Sequence, residues 1–512
     1  MTLFETLVAL LAVAVLLLQV TRRLRLPYPG ILAAAGVGVA MLPGAPNIPI
    51  DPPTALAIFI APVLVDAAYD FPLGTAKRML LPLFVYAVVA VLITTGVVVT
   101  ISVYTVGLPI AVALTLGAIV APPDAAAATA VLSGLPISRR VDMLLKGESL
   151  FNDATALLLF SAALTIQARG GIDTETALRV GFAAPGGILF GIAFGYFISW
   201  LRPFADNTVG GTLLQFVYAF GTWLIAEHLH LSAVLATVAS AMTIATLATV
   251  RDSPRMRVHS FAVWTTVVFL LNVVAFLLMG LQARSIVETM SSDELQRALA
   301  FATTVVFAVM ITRLGVAFLW HFIVTHRYQR GAALAPFRHS ETMLVGWSGM
   351  RGLVTLATAF ALPSGFPERD LVVLTAFAVV LGTLVIQGAT LAPMIHFLKL
   401  GRQDEVHEEV VLARQEMARA ASDRLSMEKG PDVVAFRCAF TQTSQIEGDT
   451  PTLTAARRRD LWMAATIAER EKLEELRGAD RIGPTQYLEL QEDLDWQQLA
   501  AGTEEDKRIM ES

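Results

Sequence analysis

The chain has 512 residues, of which 55% are hydrophobic and only 16% charged, against about a quarter charged in ordinary soluble domains. Residues 1–400 carry 23 basic and 19 acidic side chains, a formal +4, whereas residues 401–512 carry 15 and 24, a formal −9. The acidic end argues against nucleic acid as a partner, and the single cysteine, Cys438, leaves no internal disulfide framework.

A bilayer core needs roughly 20 apolar residues per helix. In chain order about thirteen segments meet that need: 3–20, 27–43, 52–69, 79–105, 108–132, 147–168, 177–200, 210–229, 231–249, 261–282, 299–325, 341–363 and 370–398. The composition therefore predicts an all-α polytopic membrane protein, with a transmembrane domain over 1–400 and a cytoplasmic helical tail over 401–512. In the first segment the positive cluster Arg22, Arg23 and Arg25 follows the apolar run. That order predicts an uncleaved first span with its amino end outside, not a secretory signal. With this orientation the cytoplasmic loops hold 17 positive charges and the opposite loops five: Arg169, Arg179, Arg284, Arg297 and Arg369. The asymmetry puts the tail in the cytoplasm and the protein in the cell (inner or plasma) membrane, with lipid as its surroundings.

Two spans cannot run as uninterrupted helices. In ALTLGAIVAPPDAAAATAVL, Pro122 and Pro123 remove two amide donors directly before Asp124. In ETMLVGWSGMRGLVTLATAFALP, Gly346, Gly349 and Gly352 surround Arg351, a donor for the carbonyls a break would free. Each broken span is the one before the last in its half of the domain. Matching interruptions of this kind predict inverted repeats, with a binding site where the two broken helices cross.

The stretch GESLFNDATAL, from Gly147 to Leu157, carries acids into the next span. Helical spacing puts Ser149 on the face of Asp153, with Asn152 about 100° round and Glu148 about 140° round. The two carboxylates therefore look in different directions. Asp153, with Ser149 and Asn152, makes an oxygen-rich site suited to a hard monovalent cation. Burial penalises a charged carboxylate, so a proton competes for the same oxygens. The competing reading of Asp153 is a helix cap near the membrane edge. Glu148 reads as structural, paired with Arg313 in VVFAVMITRLGVAFLW, with Arg351 and Lys146 as competing partners. Asp124 can neutralise the positive amino end of the half-helix after the proline break, or bind the ion itself. Asp66, in FIAPVLVDAAYDF, can widen the ion path or tune Asp153; its nearness to Asp70, Lys77 and Arg78 leaves an interfacial position open. The scattered histidines lack ligand spacing, and no phosphate-binding glycine loop, G-x-S-x-G or HExxH is present, so no cofactor and no catalysis are expected.

The run GAIVAPPDAAAATAVL, then KGESLFNDATALLLF, ITRLGVAFLW, GWSGMRGLVTLATAFALP and LVIQGATLAP resembles the monovalent cation/proton antiporter family, in its sodium/proton exchanger branch. The resemblance implies that Asp153 binds cation and proton, with Asn152 and Ser149 beside it. It implies a structural ion pair of Glu148 with Arg313, and unwound crossing helices at Asp124 and Arg351. It further implies a homodimer, and electroneutral exchange because Asn152, not a second aspartate, precedes Asp153. Two positions depart from the family pattern: Asp66 stands where glutamate is common, and Pro123 stands where many members have a coordinating threonine.

The expectation is thus a secondary active transporter that exchanges Na+ (or Li+ or K+) for H+ by competition at Asp153. The rival is a monovalent cation channel through the same acids. The tail, with amphipathic stretches such as EEVVLARQEMARAASDRLSM, is a candidate for regulatory contacts.

Overall fold

The computed structural model describes residues 8, 11–19, 28–40, 52–69, 71, 77–124, 128, 132, 137–171, 174–205, 208–247, 254–330, 335–363, 365–398, 400 and 496. The chain falls into two units, Met1–Gly401 and Arg402–Glu511. Of the second unit only Trp496 is described. The expected tail, and the cluster Arg22, Arg23 and Arg25, lie outside the described residues.

Every regular element among the described residues is helical. We label them α1 (Tyr28–Ala40), α2 (Pro52–Tyr69), α3 (Leu80–Val106), α4 (Ile110–Val120), α5 (Arg139–Arg169), α6 (Thr174–Leu201), α7 (Val209–His228) and α8 (Ala233–Leu247). They continue as α9 (Pro254–Thr289), α10 (Ser292–Gln329), α11 (His339–Trp347), α12 (Leu353–Phe360) and α13 (Arg369–Phe397). Among the described residues, five helical stretches are long and apolar enough to cross a membrane: Leu80–Val106, Arg140–Arg169, Gly181–Phe204, Ser292–Gln329 and Arg369–Phe397.

Several helices overrun the apolar segments that announce them, because polar residues extend them. Helix α5 starts at Arg139 rather than at 147, and its first polar turns are tied by Lys146 Nζ to Asp142 Oδ2 at 3.0 Å, an i,i+4 pair. Its end is set by Gly170, whose φ of 76° is a left-handed conformation open to glycine without steric cost. Helix α10 starts at a capping box: the Ser291 hydroxyl accepts from the Glu294 amide, and the Glu294 carboxylate accepts from the Ser291 amide at 2.9 Å. Hydropathy sees only the apolar middle of such helices.

Two helices stop where the sequence denies them donors. Helix α4 ends at Val120, just before Pro122 and Pro123. Helix α11 ends at Trp347 and α12 begins at Leu353, so residues 348–352 are not helical. Around these breaks α4 packs on α5, α12 and α13, while α10 packs on α11 and α13. Val98 of α3, Leu116 of α4, Val305 and Val309 of α10 and Val379 of α13 join in one buried apolar cluster. That cluster holds the broken segments together.

Candidate functional site

Helix α5 brings Glu148, Asn152 and Asp153 inside the protein, at 1%, 0% and 6% exposure, with Ser149 half-buried beside them. The helical offset then sends the two acids to different neighbours.

Glu148 meets Arg313 of α10. The guanidinium makes a two-pronged pair, with Nη1 donating to Oε1 and Nη2 to Oε2, the second at 2.6 Å. Arg313 Nη2 also donates to the Val345 carbonyl of α11 at 3.3 Å, and its guanidinium lies 5.2 Å from the Tyr86 ring centroid. Tyr86 stands in a π-helical turn of α3, Val85–Val89. One arginine thus joins α3, α5, α10 and α11. Of the other partners considered for Glu148, Lys146 pairs with Asp142, and Arg351 turns elsewhere.

Asp153 accepts no hydrogen bond and makes no ion pair among the described residues, although its charge interacts with that of Asp124. Asn152, beside it, donates from Nδ2 to the Pro123 carbonyl at 2.9 Å, while its Oδ1 is buried without a partner among the described residues. The asparagine therefore fastens the acid-bearing helix to the proline break.

The two breaks are fastened to each other. The Asp124 amide donates to the Met350 carbonyl at 2.7 Å, and Asp124 Oδ2 accepts from the Leu353 amide at 3.0 Å. Arg351, 1% exposed, donates from Nε to the Val120 carbonyl at 3.0 Å and from Nη2 to the Ala121 carbonyl at 3.2 Å. A third donor, Nη1, turns back to the Gly349 carbonyl. Gly352 permits the approach, since a Cβ there would run into the Asp124 carboxylate. Each break supplies what the other lost, which is the condition for irregular backbone within a membrane.

The sequence leaves Asp124 either at the amino end of the half-helix that follows it or as an ion ligand; here its carboxylate also accepts from the first amide of α12, on the other broken segment. Residues 125–127 lie outside the described residues. Asp66 is half-buried on α2, three residues before its end. Sequence reasoning missed Thr383 of α13, whose hydroxyl accepts from the Arg351 amide at 3.0 Å, and it missed Tyr86. Neither carries a charge that would single it out. Among the described residues no group of three or more His, Cys, Asp and Glu side chains is placed to hold a metal ion.

Comparison with known proteins bears on what such a site does. The sodium/hydrogen exchanger family, in its transmembrane part, matches residues 8–396. An uncharacterised Na(+)/H(+) exchanger of Mycobacterium tuberculosis is 29% identical over 435 residues, 82% of this chain and 79% of that protein. The Na(+)/H(+) antiporter NhaH of Halobacillus dabanensis is 30% identical over 362 residues, 68% of this chain and 83% of that protein. The fold is that of the sodium proton antiporter MjNhaP1 from Methanocaldococcus jannaschii, with a TM-score of 0.58 at 18% identity over 76% of this chain and 100% of that one.

Proposed function

Since the chain belongs to the sodium/hydrogen exchanger family, a family of transporters and not enzymes, we propose that it exchanges Na+, or Li+ or K+, for H+ across the cell membrane by competition at Asp153. The observation that carries this reading is a buried carboxylate with no partner among the described residues, next to two broken helices. A bare charge near the bilayer centre costs ~3 kcal/mol or more. Either a cation or a proton removes that cost, and one occupant excludes the other. Only a loaded site crosses between the two faces, so inward and outward movements are coupled without a further device.

In this reading Ser149, on the same face of α5, lends its oxygen to the cation, and Asn152 holds the helix against the break without adding charge. One cation then exchanges for one proton, and transport is electroneutral. Asp66 tunes the approach from α2. Glu148 and Arg313 hold the architecture, as do Asp124 and Arg351 at the crossing. We assign transport to residues 1–400, as about thirteen spans in two inverted repeats, amino end outside. We assign residues 401–512 to the cytoplasm as a helical tail making regulatory contacts, and the working form to a homodimer in lipid.

Proteoliposomes test the reading. Adding Na+, Li+ and K+ in turn should drive proton release that saturates with cation and does not change under an imposed voltage. Conductive current without coupled proton movement would instead make the protein a channel. A voltage-dependent exchange rate would overturn the one-for-one stoichiometry alone.

A further inference from the structure

The motif LVIQGATLAP contributes a residue that the ion site does not use. Gln387 of α13 is 0% exposed, and neither its Nε2 nor its Oε1 has a hydrogen-bond partner among the described residues. A buried primary amide with both ends unmet is uncommon in native proteins, and ordered water is the usual partner when no protein group supplies one.

Its neighbours on the helix show what this stretch of α13 lies against. Residues 383, 387 and 390 fall within one narrow face of α13. Thr383 Oγ1 accepts from the Arg351 amide at 3.0 Å, and Thr390 Oγ1 accepts from Trp347 Nε1 at 2.9 Å. Gln387 lies between them along the helix axis, one turn from Thr383, on the part of α13 that bonds Trp347 and Arg351 on either side of the join between α11 and α12. That placement sets the amide near residues 348–352, whose backbone lacks a helical ladder.

Two kinds of occupant fit a carboxamide: a cation at the oxygen, or water at both ends. Charge decides between them. Arg351 is buried in the same segment, and among the described residues its guanidinium donates only to the carbonyls of Val120, Ala121 and Gly349. A cation drawn to this segment meets that charge and is repelled. Water is not, and it answers both the donor and the acceptor of the amide.

We propose that Gln387 holds water against the break between α11 and α12, and is thereby a positioning residue for exchange. The water keeps residues 348–352 solvated in a dry surrounding, so the segment can alter its hydrogen bonds as the site changes face. This rests on the transport reading for its kinetic consequence, but the water itself does not.

Two measurements test it. High-resolution cryo-electron microscopy of the full chain in lipid nanodiscs should find ordered water within hydrogen-bond distance of the Gln387 amide, and its absence overturns the proposal whatever the transport data say. In proteoliposomes, Gln387→Leu should lower the maximal exchange rate about tenfold with the half-saturating Na+ concentration within twofold of the wild type, and Gln387→Asn should recover part of the rate. A changed half-saturation at unchanged maximal rate would make Gln387 a cation ligand, and unchanged values of both would make it inert packing; each overturns the proposal. If Gln387→Leu does not fold, Gln387→Met and the wild-type water density carry the decision.

Discussion

Glu148 and Asp153 sit on one helix, five positions apart and nearly equally buried, yet their surroundings are opposite. Glu148 meets a guanidinium that satisfies both its oxygens. Asp153 meets a fastened asparagine and the field of another acid. Burial alone thus does not decide what an intramembrane acid does; the presence of a fixed counter-charge does. A paired carboxylate holds helices together and has no capacity left for a mobile ion. An unpaired one is costly when empty, and in the proposed function that cost is what drives it to take a cation or a proton.

Mutations can break this contrast, and the largest effect is expected at Asp153. Asp153→Asn should reduce cation-driven proton release to background in proteoliposomes while the thermal midpoint in detergent stays within a few degrees, because no ion partner is stranded. Glu148→Gln should do the reverse in kind. It leaves Arg313 buried without its counter-charge, at a cost of about 3–5 kcal/mol, which should appear as a lower melting temperature and yield. Removing both charges with Glu148→Leu and Arg313→Met should recover much of that loss; if the double variant is as unstable as the single, the stranded-charge explanation is wrong.

Smaller effects sharpen the role of the crossing. Gly352→Ala forces a methyl onto the Asp124 carboxylate, and overpacking of this kind costs about 1–3 kcal/mol. Slower exchange with a lower melting temperature is the expected result. Thr383→Val removes the acceptor for the Arg351 amide, a loss of about 1–3 kcal/mol for a buried donor left unmet. Its effect on melting should be the smallest of the set, and no shift at all would mean that the Arg351 amide finds another acceptor.

The legible parts of this molecule were those written in side-chain chemistry. Pro122 and Pro123 cannot donate, so a stop near 120 is predictable; Asp153 and Glu148 diverge by helical geometry alone. Arg313 is nameable beside Glu148 because few cations lie at that depth; Arg351 and Lys146 compete in the sequence, but in the fold Arg351 donates to carbonyls and Lys146 pairs with Asp142. What stayed hidden depends on backbone groups and distant chain segments. The acceptors of Arg351 are the carbonyls of Val120 and Ala121, which any residue would carry. Asp124 serves Leu353, 229 positions away, and nothing in the local sequence names that amide. Helix starts at Arg139 and Ser292 were hidden for another reason: caps and ion pairs extend a helix through residues that hydropathy counts as loop.

The reciprocal bonding of the two interruptions has a mechanical corollary. Straightening either one would strip the other of its hydrogen-bond partners, so neither kink can be healed by mutation in isolation. A variant that restores a continuous ladder at 121–124 should show its damage remotely, as faster amide deuterium uptake at Leu353. The two interruptions thus form one knot of backbone, tied between segments 229 positions apart in the chain, and loosening either slackens the other.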